Sequence, residues 1–338
     1  MRKRVFCLIT ALAVLITLFS CSLIGPSDNK SDDEQSDTSQ EGNENMNNDM
    51  ESVTPEKKSI KILVIGNSYG NDATYYLSRM LEVDGYEDIT IGKMGESSMA
   101  INDHYHNIDN DPSNDYLYKG NTFSVHRKSV NGKNYDLPAD YKMIVRCEPW
   151  DYILFYQGPN SAATLTEPEY YSETDNFLKA LKENMTNPDG KIIYYMTWAH
   201  NVDDTSKLYQ GIVDITKEVI SSHPLIDGVL PAATVIQNLR TSYLVDGKAG
   251  DITRDWGHLN YGVGRYAMAL SWYVYLTGGS VEDITFMPTF EDEMKDSPDN
   301  EPLFTDVDEN NLKVIREAVE NAMKTPYSVT ESKYRTAP

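Results

Sequence analysis

The sequence predicts an α/β domain built on a central parallel sheet, and three observations carry that prediction. Ile60 to Ile65, Tyr152 to Tyr156 and Ile192 to Met196 are short apolar runs rich in branched or aromatic residues. Each is followed by a more polar stretch of helical character, and apolarity on both faces marks a strand covered by helices above and below. Strands alternating with helices over such distances fit a parallel sheet whose functional residues sit on loops at the carboxyl ends of the strands.

Taken in order, the run from Ile60 ends at Gly66, and a helix is expected from there to about Leu81. Asp88 to Ile91 reads as a second, shorter strand. Between about 103 and 146 the rhythm breaks, and Asn121 to Tyr135, with Asn131-Gly132 at its middle, reads as a β-hairpin inserted into the layers. Val229-Leu230 is a further short strand, and Tyr261 to Leu276 and Asn310 to Met323 are helices by their periodicity.

The two ends are of different composition. Met1-Arg2-Lys3-Arg4 precedes an apolar run from Val5 to Phe19 that is shorter than the roughly 20 residues of a spanning helix, so residues 1–21 read as a secretory signal. Leu18-Phe19-Ser20-Cys21 resembles a bacterial lipobox, with Cys21 as the acylated residue and an extracytoplasmic, lipid-anchored location as the consequence. Residues 22–58 hold ten acidic and three basic side chains and few large apolar ones, the composition of a disordered tether. That leaves residues 59–330 for one domain and 331–338 for a tail.

The 338-residue chain has a formal charge of −22, most of it in the folded part, which argues against nucleic acid or a bare anionic membrane as partner and suits neutral glycans or uncharged esters. Membrane contact is expected through the lipid alone. Of the three cysteines, only Cys147 remains in the domain, where it reads as a small buried apolar residue; no disulfide framework or cysteine metal site can be built.

Three segments carry chemistry. Gly66-Asn67-Ser68-Tyr69 places a serine hydroxyl on a strand-to-helix turn, either as a cap or as a nucleophile beside backbone donors. Asp255-Trp256-Gly257-His258 lets one loop deliver a base and the carboxylate that orients it, which is what a serine needs for attack at neutral pH. Gln157-Gly158-Pro159-Asn160 ends a strand with side-chain amides, and Gly95 ends another with a backbone donor. His104 and His106, two apart, have the spacing of metal ligands on a strand, but the reading places them at the mouth of the site or on the hairpin and assigns no metal. Trp198 ends a strand on the presumed active face, where it stacks on a sugar ring or packs in the core.

Together these blocks resemble the SGNH (GDSL-like) hydrolase superfamily over most of residues 60–278. The likeness is to a branch of uncharacterised extracellular bacterial members that open with Ile-Gly-Asn-Ser, here Ile65 to Ser68, and end with Arg-Asp-x-x-His-Leu, here Arg254 to Leu259. The resemblance implies a flavodoxin-like three-layer α/β/α sandwich. It also implies Ser68 as nucleophile, His258 as general base and then acid, Asp255 as its orienter, Gly95 as an oxyanion donor, and Asn160 or Gln157 as the third. No cofactor is implied. Asn67 stands where aspartate is commoner, and Ser161 where an aspartate often follows the third block. With export, the expected activity is that of a serine esterase on small acyl esters, removing acetyl groups from extracellular polysaccharide. The alternative is a glycan-binding surface lipoprotein on a degenerate hydrolase scaffold.

Overall fold

The structure is a computed structural model that describes residues 57–95, 100–101, 103–104, 142, 144–164, 171–200, 204–245, 252–295 and 303–337, and the backbone alone of 122–127, 134–138, 141, 143 and 168–170. The signal segment, Cys21, most of the tether, His106 and Asn131-Gly132 lie outside the described residues. All the described residues fall in one compact unit, Pro55–Pro338.

Strands β1 (Lys58–Ile65), β2 (Tyr86–Met94), β5 (Tyr152–Phe155), β6 (Lys191–Tyr195) and β7 (Gly228–Leu230) pair in parallel in the order β2-β1-β5-β6-β7. Counting parallel strands alone, this is the 2-1-3-4-5 order of flavodoxin-like sheets, in which the direction of strand succession reverses between the first and third strands and a crevice opens there. β3 (Thr122–Arg127) and β4 (Asn134–Pro138) form the inserted hairpin and extend the sheet antiparallel beyond β2.

Alternation along the strands explains why the sheet is central. Ile60, Ile62 and Val64 of β1, Leu154 and Tyr156 from β5 onward, and Ile193 and Tyr195 of β6 enter one buried cluster; Leu63, Ile65, Ile153, Phe155, Ile192 and Tyr194 enter the other. Helices α1 (Ser68–Thr74), α2 (Leu77–Val83), α7 (Ala232–Leu239), α8 (Val263–Thr277) and α10 (Glu309–Lys324) cover the first face. Helices α3 (Tyr141–Arg146), α4 (Pro159–Ala162), α5 (Pro168–Asn184) and α6 (Thr205–Ile215) cover the second, and α9 (Phe290–Met294) is a short late element. No helix among the described residues is long and apolar enough to cross a membrane.

Three expectations are corrected. The single helix expected after Gly66 is two, α1 and α2, and the step between them turns Tyr76 inward, where its hydroxyl donates to the Tyr261 carbonyl at 2.8 Å. Residues 331–337 are not a tail: the Ser332 amide donates to Thr241 Oγ1 at 2.8 Å and the Tyr243 amide to the Tyr334 carbonyl at 2.9 Å. Cys147 is exposed, because it falls just past the end of α3.

Candidate active site

Ser68 stands immediately past the end of β1, at the crevice between β1 and β5. Asn67 is extended and caps α1, its Oδ1 accepting from the Tyr69 amide at 3.1 Å. A cap needs an acceptor oxygen, which asparagine and aspartate both supply, so Asn67 in place of aspartate leaves the turn unchanged. The turn is fixed from below by Tyr156, whose hydroxyl accepts from the Asn67 and Gly70 amides at 2.7 Å each and donates to the Asn67 carbonyl at 2.6 Å. Glycine is needed at 66 because a Cβ there would lie 2.1 Å from the Tyr156 ring. With the Tyr69 and Gly70 amides engaged, the Ser68 amide is the first-turn donor left at the helix start among the described residues.

Gly95 and His104 close the other side of this turn. Gly95 has φ +139°, and a Cβ on it would lie 1.7 Å from the Gly66 carbonyl oxygen. That carbonyl accepts from His104 Nε2 at 3.0 Å, which assigns the Nε2–H tautomer since a carbonyl only accepts. His104 is therefore neither at the mouth nor on the hairpin. It is buried, and burial pulls its imidazole down to about 4, so the ring is neutral.

His258 and Asp255 arrive on a tight loop. The Arg254 amide donates to the His258 carbonyl at 2.8 Å, the Asn260 amide donates to the Ile252 carbonyl at 2.8 Å, and Thr253 bridges to Leu259. Asp255 Oδ1 accepts from the Gly257 and His258 amides at 2.7 Å each, while Oδ2 lies 2.8 Å from His258 Nδ1. Burial pushes the Asp255 carboxyl upward, but the two amides and the His258 ring outweigh it and hold it below the usual range. The far ring nitrogen, Nε2, lies 2.8 Å from Ser68 Oγ, across 190 residues of sequence. With Nδ1–H donated to the carboxylate, Nε2 is free to accept the serine proton.

A buried ion cluster locks this loop to α1. Asp72, with no exposed surface, accepts from Arg254 Nη1 at 2.9 Å, from Arg265 Nε at 2.8 Å and from the Leu259 amide at 2.9 Å. Arg254 also donates to the Leu259 carbonyl. Trp198 supports the loop from inside: its Nε1–H donates to the Gly257 carbonyl at 2.8 Å and its ring packs 4.6 Å from Tyr69. This corrects the reading of Trp198 as a sugar platform, since a fully buried indole presents no face to ligand. The exposed tryptophan is Trp256, 62% accessible, edge-on to the His200 ring at 4.8 Å.

Ser68 and His258 open into a cleft of about 360 Å³ lined also by Tyr69, Asn160, His200 and Trp256. Asn160 is exposed on its wall, whereas Gln157 is fully buried with Oε1 accepting from the Ile101 amide at 3.1 Å. Of the two amides left open by the sequence, Asn160 is the one on the cleft. Among the described residues no group of three metal-ligating side chains is present.

Sequence reasoning missed Tyr156, Asp72 and Trp256 as parts of the site. Asp72 left a signal: Tyr69, Asp72, Ala73 and Tyr76 fall at i, i+3, i+4 and i+7, an acid inside a buried helical stripe. Tyr156 left none, because nothing local distinguishes it from the strand it ends.

The fold and site together define a doubly wound α/β domain with a serine, histidine and aspartate in line at its switch point. Residues 61–297 match a family model described as a domain of unknown function, DUF4886, and the chain belongs to that family. It is also similar to the crystal structure of a DUF4886 family protein from Bacteroides uniformis, with a TM-score of 0.67 and 26% identity over 82% of this chain and all of that one. No curated protein matches.

Proposed function

We propose that this protein is a serine esterase of the SGNH type, acting on small acyl esters, and that its substrates are acetylated extracellular glycans reached from a lipid anchor at Cys21. The observation that carries the reading is the Asp255-His258-Ser68 line, with both hydrogen bonds at 2.8 Å. In this scheme Ser68 Oγ attacks the ester carbonyl while His258 Nε2 takes its proton. The oxyanion is stabilised by the Ser68 and Gly95 amides and the Asn160 side chain. His258 then returns the proton to the leaving alcohol, and water hydrolyses the acyl-enzyme by the same base. The cleft suits this use: Trp256 offers an exposed ring beside His258, of the kind that stacks on sugars.

The test is hydrolysis of p-nitrophenyl acetate and of acetylated xylan by the Pro55–Pro338 unit and its Ser68→Ala variant. We expect release from both substrates and a loss of roughly 10⁴-fold or more in the variant. Equal rates in the two proteins would exclude Ser68 as nucleophile. The exposed Trp256 also favours a second reading, a glycan-binding lipoprotein with a silent site. Fluorophosphonate labelling separates the two, since the esterase labels at Ser68 and the binder, though folded, does not label.

A further inference from the structure

Lys93 is a cation that the scheme above leaves unused. It falls one residue before the end of β2, in register with Val64 of β1, and the alternation that buries Ile89 and Ile91 sets it on the α1 side of the sheet. It is partly buried, and its ammonium makes no hydrogen bond or ion pair among the described residues. Among the described residues the charges that bear on it are those of Arg265 and Asp72, and Asp72 is already engaged by two guanidinium groups. Burial, reinforced by Arg265, pulls its ammonium down to about 8. In a chain of charge −22, carboxylates are abundant, yet none meets this lysine among the described residues.

Lys93 lines a second cavity, of about 190 Å³, with Gly66, Asn67, Ser68, Asn71 and Gly95. This cavity shares Asn67 and Ser68 with the main cleft, but His258 lines only the main cleft. The difference assigns the two halves of an ester. The leaving alcohol takes its proton from His258 and so occupies the main cleft. The acyl substituent then lies on the other flank of Ser68, toward Gly95 and Lys93. The volume is below the roughly 300–1,000 Å³ of sites for drug-sized ligands, which suits a short acyl chain.

We infer that this cavity is a subsite for a small carboxylate, held by Lys93 and reached past Ser68; resting on the esterase reading, this makes acyl groups ending in a carboxylate, half-esters of short dicarboxylic acids, the preferred class. Desolvating an ammonium that meets no carboxylate among the described residues is costly, and a ligand carboxylate in the cavity offsets that cost. Neutral acetyl esters remain substrates, with the subsite unfilled.

Two measurements test this on the Pro55–Pro338 unit. Calorimetric titration with succinate needs no turnover: saturable binding is expected, weakened at least about tenfold in Lys93→Met and retained in Lys93→Arg. Asn71→Asp, an exposed change that puts a carboxylate into the same cavity, should weaken binding without altering Lys93. In the second, the ratio of kcat/KM for p-nitrophenyl hemisuccinate to that for p-nitrophenyl acetate should fall at least about tenfold in Lys93→Met. Lys93-dependent succinate binding by a protein that hydrolyses neither ester would uphold the subsite and sink the esterase reading. Ester hydrolysis with no succinate binding, or with a ratio indifferent to Lys93, would overturn the subsite and leave the esterase standing.

Discussion

The floor of the cleft and its rim are built by opposite rules. Each of the two short segments of the floor, the Ser68 turn and the Asp255-His258 loop, is held by buried polar groups from distant elements. Tyr156 and His104 serve the first; Asp72, Arg265 and Trp198 serve the second. The rim, with Trp256 and Asn160, is exposed and lightly bonded. Reacting atoms need fixed geometry, which low-dielectric hydrogen bonds supply, whereas a surface that meets varied ligands needs none. Substitutions should therefore lose their effect on folding from floor to rim.

The largest loss is expected at Asp72. Asp72→Asn leaves the buried Arg265 and the half-buried Arg254 without their carboxylate, and denaturant unfolding should show about 3–5 kcal/mol less stability. Turnover should fall with it, because the Leu259 amide loses its anchor. An unchanged midpoint would mean that the cluster does not hold the loop.

His104 comes next and shows itself through pH. Its folded value, about 4, is below the unfolded 6.5, so the unfolded chain takes up the proton first. Its contribution is complete above 6.5 and is lost as pH falls toward 4, an effect of about 3 kcal/mol. His104→Gln should remove that part of the acid slope in unfolding free energy. Equal slopes in the two proteins would place the imidazole outside the core.

Tyr156→Phe should cost about 1–3 kcal/mol, since the Asn67 and Gly70 amides lose a shared acceptor. It should lower kcat more than it raises KM, because the turn that aims Ser68 is loosened while the cleft wall is intact. A rise in KM alone would contradict a positioning role. The smallest effect is expected at the rim. Trp256→Ala should leave the unfolding midpoint in place and reduce kcat/KM on acetylated xylan relative to p-nitrophenyl acetate by about three- to tenfold. An unchanged ratio would remove Trp256 from glycan contact.

What the sequence determined by itself is what depends on neighbours in the chain. Runs apolar on both faces had to be central strands, and Asn131-Gly132 between alternating runs marked a hairpin. Asp255 and His258, three apart around Gly257, could meet within one loop whatever the rest of the fold did. Tertiary structure alone decided the remainder. A tryptophan at a strand end and another in a loop are equally compatible with stacking on sugar, and only the elements packed over them make Trp198 core and Trp256 rim. His104 and Cys147 exchange their expected places for the same reason: burial is set by what covers a side chain, not by its own polarity. The 2.8 Å approach of His258 to Ser68 likewise depends on Asp72, whose buried charge ties the late loop to the first helix. Pattern reads the contacts a segment makes with itself, and the contacts that aim these atoms come from elsewhere in the chain.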